Sequence, residues 1–257
     1  MNGLSLALKR HPLAIEAHFR RSLVLTYAFP EAILRPLLPA GLDLDAYDGW
    51  GFLAIAMVQT EHLRPVGWPR FLGKNFFLTG FRIFVRFQGA DGKDLRGLRI
   101  LRSDADSRLM VAAGNRLTRY NYHRINVDIR EVERRLSVVS RSREGRSDLE
   151  VEVDLGEVPT TPPPGSPFPD LETARRYAGP MPFTFEAEPE TRSMVVVEGV
   201  RTHWHPRPVQ VVRARCAFLD QPPFEGTAPI LANAFLVEDV PYRWKPGRRV
   251  PLAKEAP

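Results

Sequence analysis

The sequence predicts a mostly β protein of the α+β class, a large curved antiparallel sheet closed or nearly closed on itself with a few short helices outside it. Three observations lead there. Apolar residues recur with period two along most of the chain, the pattern of half-buried strands. Helical stretches are few and short. The chain has 257 residues, 44% of them hydrophobic, which is enough to bury a substantial core in one unit. A sheet of many strands in that length protects its edges by closing, and such barrels often enclose a ligand cavity.

The elements follow in chain order. MNGLSLALKRHPLAIEAHFRR makes a poor signal peptide because its basic residues follow the short apolar stretch. No apolar run reaches the roughly 18 residues of a membrane helix. The expectation is a cytoplasmic protein with no membrane partner. Strands are expected at 18–28 and 51–63, separated by a helix at 30–39 that opens on Pro30 and is interrupted by Pro36. FFLTGFRIFVRF (76–87) places Phe77, Phe81, Ile83, Val85 and Phe87 on one face and Arg82 and Arg86 on the other. ADGK (90–93) then signals a hairpin turn into LRGLRILRS (95–103). DADSRLMVAAGNRL (104–117) reads as a helix capped by Asp106 or Ser107.

Further strands are expected at 123–132, 134–142 and 149–155. TTPPPGSPFP (160–169) forms a proline-rich crossover between two halves. A helix at 170–179 has Asp170 as its cap and Gly179 as its stop. The last strands are expected at 193–203 and 208–218. The organisation is a single domain over 1–257 with its core at about 18–220 and a basic C-terminal tail containing YRWKPGRR (242–249).

The net charge is +6, carried by 36 basic and 30 acidic residues, which raises nucleic acid as a partner. The densest basic stretches, 129–146 and 242–249, show neither a nucleic-acid motif nor interleaved aromatic residues, so that partner is disfavoured. Cys216 is the single cysteine, which excludes an internal disulfide and a multi-thiolate zinc site. In VQVVRARCAFL it shares a strand face with Val212, Ala214 and Phe218, the setting of a buried, inert thiol.

Four stretches carry a family resemblance: LRPLLPAGLDLDAYDGWGFLAIAMV (34–58), SDADSRLMVAAGNRL (103–117), GPMPFTF (179–185) and HWHPRPV (203–209). In this order and spacing the chain resembles the YqjF-like domain-of-unknown-function family, itself similar to acetoacetate decarboxylase. The resemblance runs from about Ser22 to Arg215. It implies an acetoacetate decarboxylase-like barrel or cone with peripheral helices and an internal pocket. It also implies homo-oligomerisation by analogy, which no residue here specifies.

Acetoacetate decarboxylase forms an imine through a pocket lysine whose pKa a neighbouring lysine lowers. Counted from Gly114, that pair falls here on Tyr122 and His123, and a glutamate of those enzymes falls on Leu78. The resemblance therefore implies a protein lacking the Schiff-base lysine. Lys74 is the one lysine near a core strand, in a loop open to water.

Alternation through HRINVDI turns His123 toward the interior with Ile125, Val127 and Ile129, and Tyr122 outward. An imidazole in the place of the missing amine suits acid–base work or hydrogen bonding to a carboxylate, so His123 and Tyr122 are the candidate catalytic residues. Arg82 is either a carboxylate clamp or a surface arginine beside Arg86. Continued alternation through VVVEGVRTHWH puts Arg201, His203 and His205 on one face and Trp204 on the other. Two imidazoles can chelate zinc, but a third ligand is missing and Arg201 opposes a cation, so no metal and no other cofactor is expected. Arg82, Arg201, His203 and His205 are the candidate ligand-binding residues.

The function read from the sequence is binding of a small anionic or carbonyl-bearing molecule in an internal pocket, with lyase- or isomerase-type acid–base chemistry if the protein is an enzyme. The alternatives are a non-catalytic ligand sensor and an arginine-driven binder of nucleic acid or anionic surfaces.

Overall fold

The computed structural model describes residues 3–89 and 92–252. In chain order, α1 (Gly3–Leu8) and β1 (Ile15–Pro30) lead through α2 (Glu31–Leu34) and β2 (Leu42–Leu44) to β3 (Trp50–Pro65), β4 (Lys74–Gln88) and β5 (Asp94–Ala105). Then come α3 (Arg108–Leu117), β6 (Tyr122–Val132), β7 (Arg135–Ser142), β8 (Leu149–Asp154) and α4 (Leu171–Ala178). The chain finishes with β9 (Phe183–Glu188), β10 (Ser193–Arg201), β11 (Arg207–Pro208), β12 (Gln210–Cys216), β13 (Ile230–Trp244) and β14 (Arg248–Pro251). No helix is long and apolar enough to cross a membrane among the described residues.

The expected closure is present. Around the ring β1 pairs with β3, β3 with β4, β4 with β5, β5 with β9, β9 with β10, β10 with β13, and β13 with β1. Two of the joints, β5–β9 and β5–β6, are parallel, so the largely antiparallel sheet is mixed at β5. The second edge of β5 is divided: Gly97–Arg99 carries β9 and continues the barrel, whereas Ser103–Ala105 carries β6 and starts a second sheet, β6–β7–β8–β12.

That division gives the barrel wall two apolar faces. Phe77, Phe81, Ile83, Val85 and Phe87 of β4 point outward and pack with Ile125, Leu136, Val138, Val151 and Cys216 of the second sheet. Phe84 points inward with Val24, Ala54, Ala56, Phe235 and Val237, and α4 closes over this group through Ala174 and Ala178. Burying one apolar side chain stabilises a fold by roughly 1.5–3 kcal/mol, so both layers hold the barrel together. Burial raises the Cys216 thiol to about 12, which keeps it protonated and unreactive.

Two expectations about the chain's later part change. The core does not end near 220: β13 is a full barrel strand and β14 pairs with β10, so the stretch read as a basic tail belongs to the sheet. In β12 a bulge between Val211 and Arg213 leaves Val212 without a partner and 48% exposed, so Val211 replaces it beside Ala214 and Cys216. The helices expected at 104–117 and 170–179 form at 108–117 and 171–178, with Ser107 Oγ and Asp170 Oδ1 accepting from Met110 N and Thr173 N. Ala90 and Asp91 of the ADGK turn, and Lys254, lie outside the described residues. In the basic stretch at 129–146, Arg135 and Arg141 pair across strands with Glu152 and Glu150, while Arg213 of β12 joins Glu150.

Candidate functional site

The barrel holds a cavity of about 600 Å³ to which all seven ring strands contribute, including Phe19 of β1, Ala56 of β3, Phe84 of β4, Ile100 of β5, Thr184 of β9, Arg201 of β10 and Tyr242 of β13. Inward residues of β4 alternate as Phe76, Leu78, Arg82 and Phe84. On β5 a bulge leaves Leu101 unpaired, so inward Leu98 and Ile100 are followed by inward Ser103. α3 covers one side with Met110, Ala113 and Gly114. A more open depression of about 350 Å³ shares Arg64, Arg201 and Tyr242 with it.

Arg82 enters the cavity from β4. It lines the cavity, its Nε is buried with no hydrogen-bond partner, and no carboxylate pairs with it among the described residues. Burial lowers its pKa, against the opposing pull of Tyr242, Tyr122 and Tyr120. Guanidinium nevertheless stays charged in proteins. Gly80 makes room for it: a Cβ there would lie 2.8 Å from Arg82 Nε.

The three tyrosines converge from different elements. Tyr122 opens β6 and is clamped through its backbone, its N donating to Asn115 Oδ1 and its O accepting from Asn115 Nδ2, both at 2.8 Å. Gly114 lets α3 lie on the Tyr122 ring, since a Cβ would sit 2.4 Å from it. Burial raises the Tyr122 hydroxyl to about 12 and pushes Tyr120 and Tyr242 up as well, so all three are protonated donors at neutral pH. Arg201 adds a second cation, donating to the carbonyls of Met181 and Pro180 and lying 4.9 Å over the Trp204 ring.

The expected orientation at 122–123 is reversed in its consequence. His123 does share a face with Ile125, but that face looks into the space between barrel and second sheet. There it lies 3.0 Å from Asn121 Oδ1 and near Arg102 and Asp104, and burial followed by the Arg102 charge lowers its pKa. Tyr122 is the one that enters the cavity. Parity sorted the two residues onto opposite faces, but both faces are interior, and the hollow belongs to the face that seemed outward.

Arg82 is likewise not a surface residue beside Arg86. The 201–205 stretch is corrected too: β10 ends at Arg201, His203 takes φ 59°, and Arg201 meets Trp204 while His203 and His205 are exposed. No group of three His, Cys, Asp or Glu residues suited to a metal exists among the described residues. Lys74 is exposed and stands at the cavity's mouth, and Leu78 lies in its wall.

Sequence reasoning missed Tyr120, Tyr242, Ser103 and His11 as cavity residues. His11 precedes the expected core, and Tyr242 sits in the stretch read as a tail. Burial lowers the His11 pKa against the opposing effect of backbone hydrogen bonds at His11 and Leu13, which favours the neutral imidazole.

The family model DUF2071, described as an uncharacterized conserved protein, matches residues 16–246. No curated protein sequence matches the chain. Among solved structures, the enduracididine biosynthesis enzyme MppR complexed with pyruvate is 14% identical with a TM-score of 0.60, over 95% of this chain and 92% of its own. Acetoacetate decarboxylase from Legionella pneumophila is 11% identical with a TM-score of 0.61, over 93% and 88%. A further acetoacetate decarboxylase structure is 13% identical with a TM-score of 0.55, over 94% and 91%. At these identities the likeness is one of fold.

Proposed function

The chain belongs to the DUF2071 family, and from that premise we propose that its barrel binds a small organic acid, with the carboxylate on Arg82 and the oxygens within reach of the Tyr120, Tyr122 and Tyr242 hydroxyls. The observation that carries this reading is a cationic side chain inside a largely apolar cavity with no acid beside it among the described residues. An unpaired buried charge costs several kcal/mol, about what a bound anion would offset. MppR, of the same fold, takes pyruvate, an acid of this chemical kind.

Turnover would be proton chemistry of the lyase or isomerase type. Arg82 and the protonated phenols supply donors to a developing enolate or carboxylate oxygen, and the neutral imidazole of His11 lines the same cavity as a base. Imine formation is disfavoured because the lysine at this cavity, Lys74, is exposed at the mouth and not desolvated.

Calorimetric titration with pyruvate and acetoacetate, with product detection on the same samples, tests the reading. Arg82→Gln is expected to lower affinity at least about thirtyfold, the effect of losing one partner of a buried charge pair. Equal affinity in wild type and variant would sink it. Saturable Arg82-dependent binding with no product over long incubation identifies a ligand sensor, the second reading.

A further inference from the structure

The cavity is much larger than the anion site within it. At about 600 Å³ it has the volume of about twenty water molecules and lies within the range of drug-sized ligand sites. A three-carbon keto acid fills a minor part. The remaining wall is largely apolar: Ile100 lies beside Arg82 on the neighbouring strand, and Leu78 and Phe76 of β4 with Met110 of α3 line the cavity beyond it. The lining then emerges as Trp68, 56% exposed, with Leu72 and Leu109 at 44% and 59%. Large apolar side chains left in water around a cavity mouth mark a binding surface.

We propose that the ligand of this cavity is an amphiphilic carboxylate, an acid with an apolar chain of about ten or more non-hydrogen atoms, its head on Arg82 and its tail running past Phe76 toward Trp68 and Leu72. This rests on the reading of Arg82 as the anion site and adds the class of the rest of the molecule. The physical basis is complementarity at both ends. The buried cation needs an anion, and the apolar passage with its exposed lip gains from a chain that covers it.

The test is a titration of the full chain with straight-chain carboxylates from acetate to decanoate, below their micelle concentrations, beside the matching alcohols. Affinity is expected to rise about fourfold per methylene, the equivalent of burying one such group, until the chain reaches the mouth. Arg82→Gln should remove the advantage of each acid over its alcohol. Leu72→Glu and Leu109→Glu, both at exposed positions, should weaken decanoate at least about tenfold and leave butyrate unchanged.

Arg82-dependent binding with equal affinity for acetate, pyruvate and decanoate would overturn the amphiphile and leave the acid-binding reading standing. No binding by any acid, or binding indifferent to Arg82→Gln, would overturn both. Loss of decanoate in Lys74→Gln but not in Arg82→Gln would place the head at the mouth and overturn the assigned orientation.

Discussion

Arg82 and Arg86 stand four residues apart on β4 with the same parity, in opposite electrostatic surroundings. Arg86 donates from Nε to Asp45 Oδ1 at 2.9 Å and from Nη1 to Asp94 at 2.7 Å, and Arg96 binds the other Asp45 oxygen at 2.7 Å. Asp45 is almost fully buried and serves both cations. Arg82 has three phenols about it and no acid among the described residues. Arg99 and Arg102 on β5 also have acids, Glu186 and Asp104. Arg86 and Arg96 of these two strands share one carboxylate and Arg99 and Arg102 each have their own, whereas Arg82 pairs with none among the described residues.

The comparison can be broken at the paired end first. Asp45→Asn should cost about 3 kcal/mol, the low end for breaking a buried pair because Arg86 and Arg96 are 42% and 28% exposed. Urea unfolding measures it, and an unchanged midpoint would mean the two arginines need no acid. At the unpaired end the sign reverses. Arg82→Met should raise the stability of the ligand-free protein by about 1–4 kcal/mol while abolishing acid binding, since an apolar group of similar volume relieves an uncompensated charge. A lower melting temperature for this variant would show that Arg82 already has its counter-charge.

The Arg99–Glu186 pair lies between these cases. Burial raises the Glu186 carboxyl to about 7 despite the Arg99 bond at 2.8 Å. The folded state therefore keeps a proton that the unfolded state releases at its ordinary carboxylate value, and wild-type stability should fall as pH rises from about 4.5 to 7. The difference in melting temperature between Glu186→Gln and wild type should shift in favour of the variant across that window. A constant difference would show that Arg99 offsets the burial completely.

Much of the fold was legible because strands with one wet face or one core face keep strict alternation. Phe81, Ile83, Val85 and Phe87 on β4 were grouped correctly for that reason, and the four strands of the second sheet were each expected close to where they lie. β13 was not found; its run from Ala232 to Val237 is buried on both faces, as are Ser22–Phe29 of β1 and Gly51–Val58 of β3, which were expected. Bulges at Leu101 and Val212 shifted parity at places where the local sequence carries no turn residue. At the site, Arg82 and Arg201 were legible as charged residues in strand-like surroundings. Tyr120, Tyr242 and His11 were not, because their relevance depends on strands and loops distant in sequence.

The sequence by itself determined most of the strands, the two longer helices, the inert cysteine and the alternation of faces along β4 and β6, because these follow from backbone geometry and nearest neighbours. Only the tertiary structure decided which face encloses the hollow, since a wall with apolar layers on both sides looks the same from either strand face until ring closure and the second sheet are in place. The same closure set Tyr122 in place of His123 beside Arg82, and it left Arg82 without an acid.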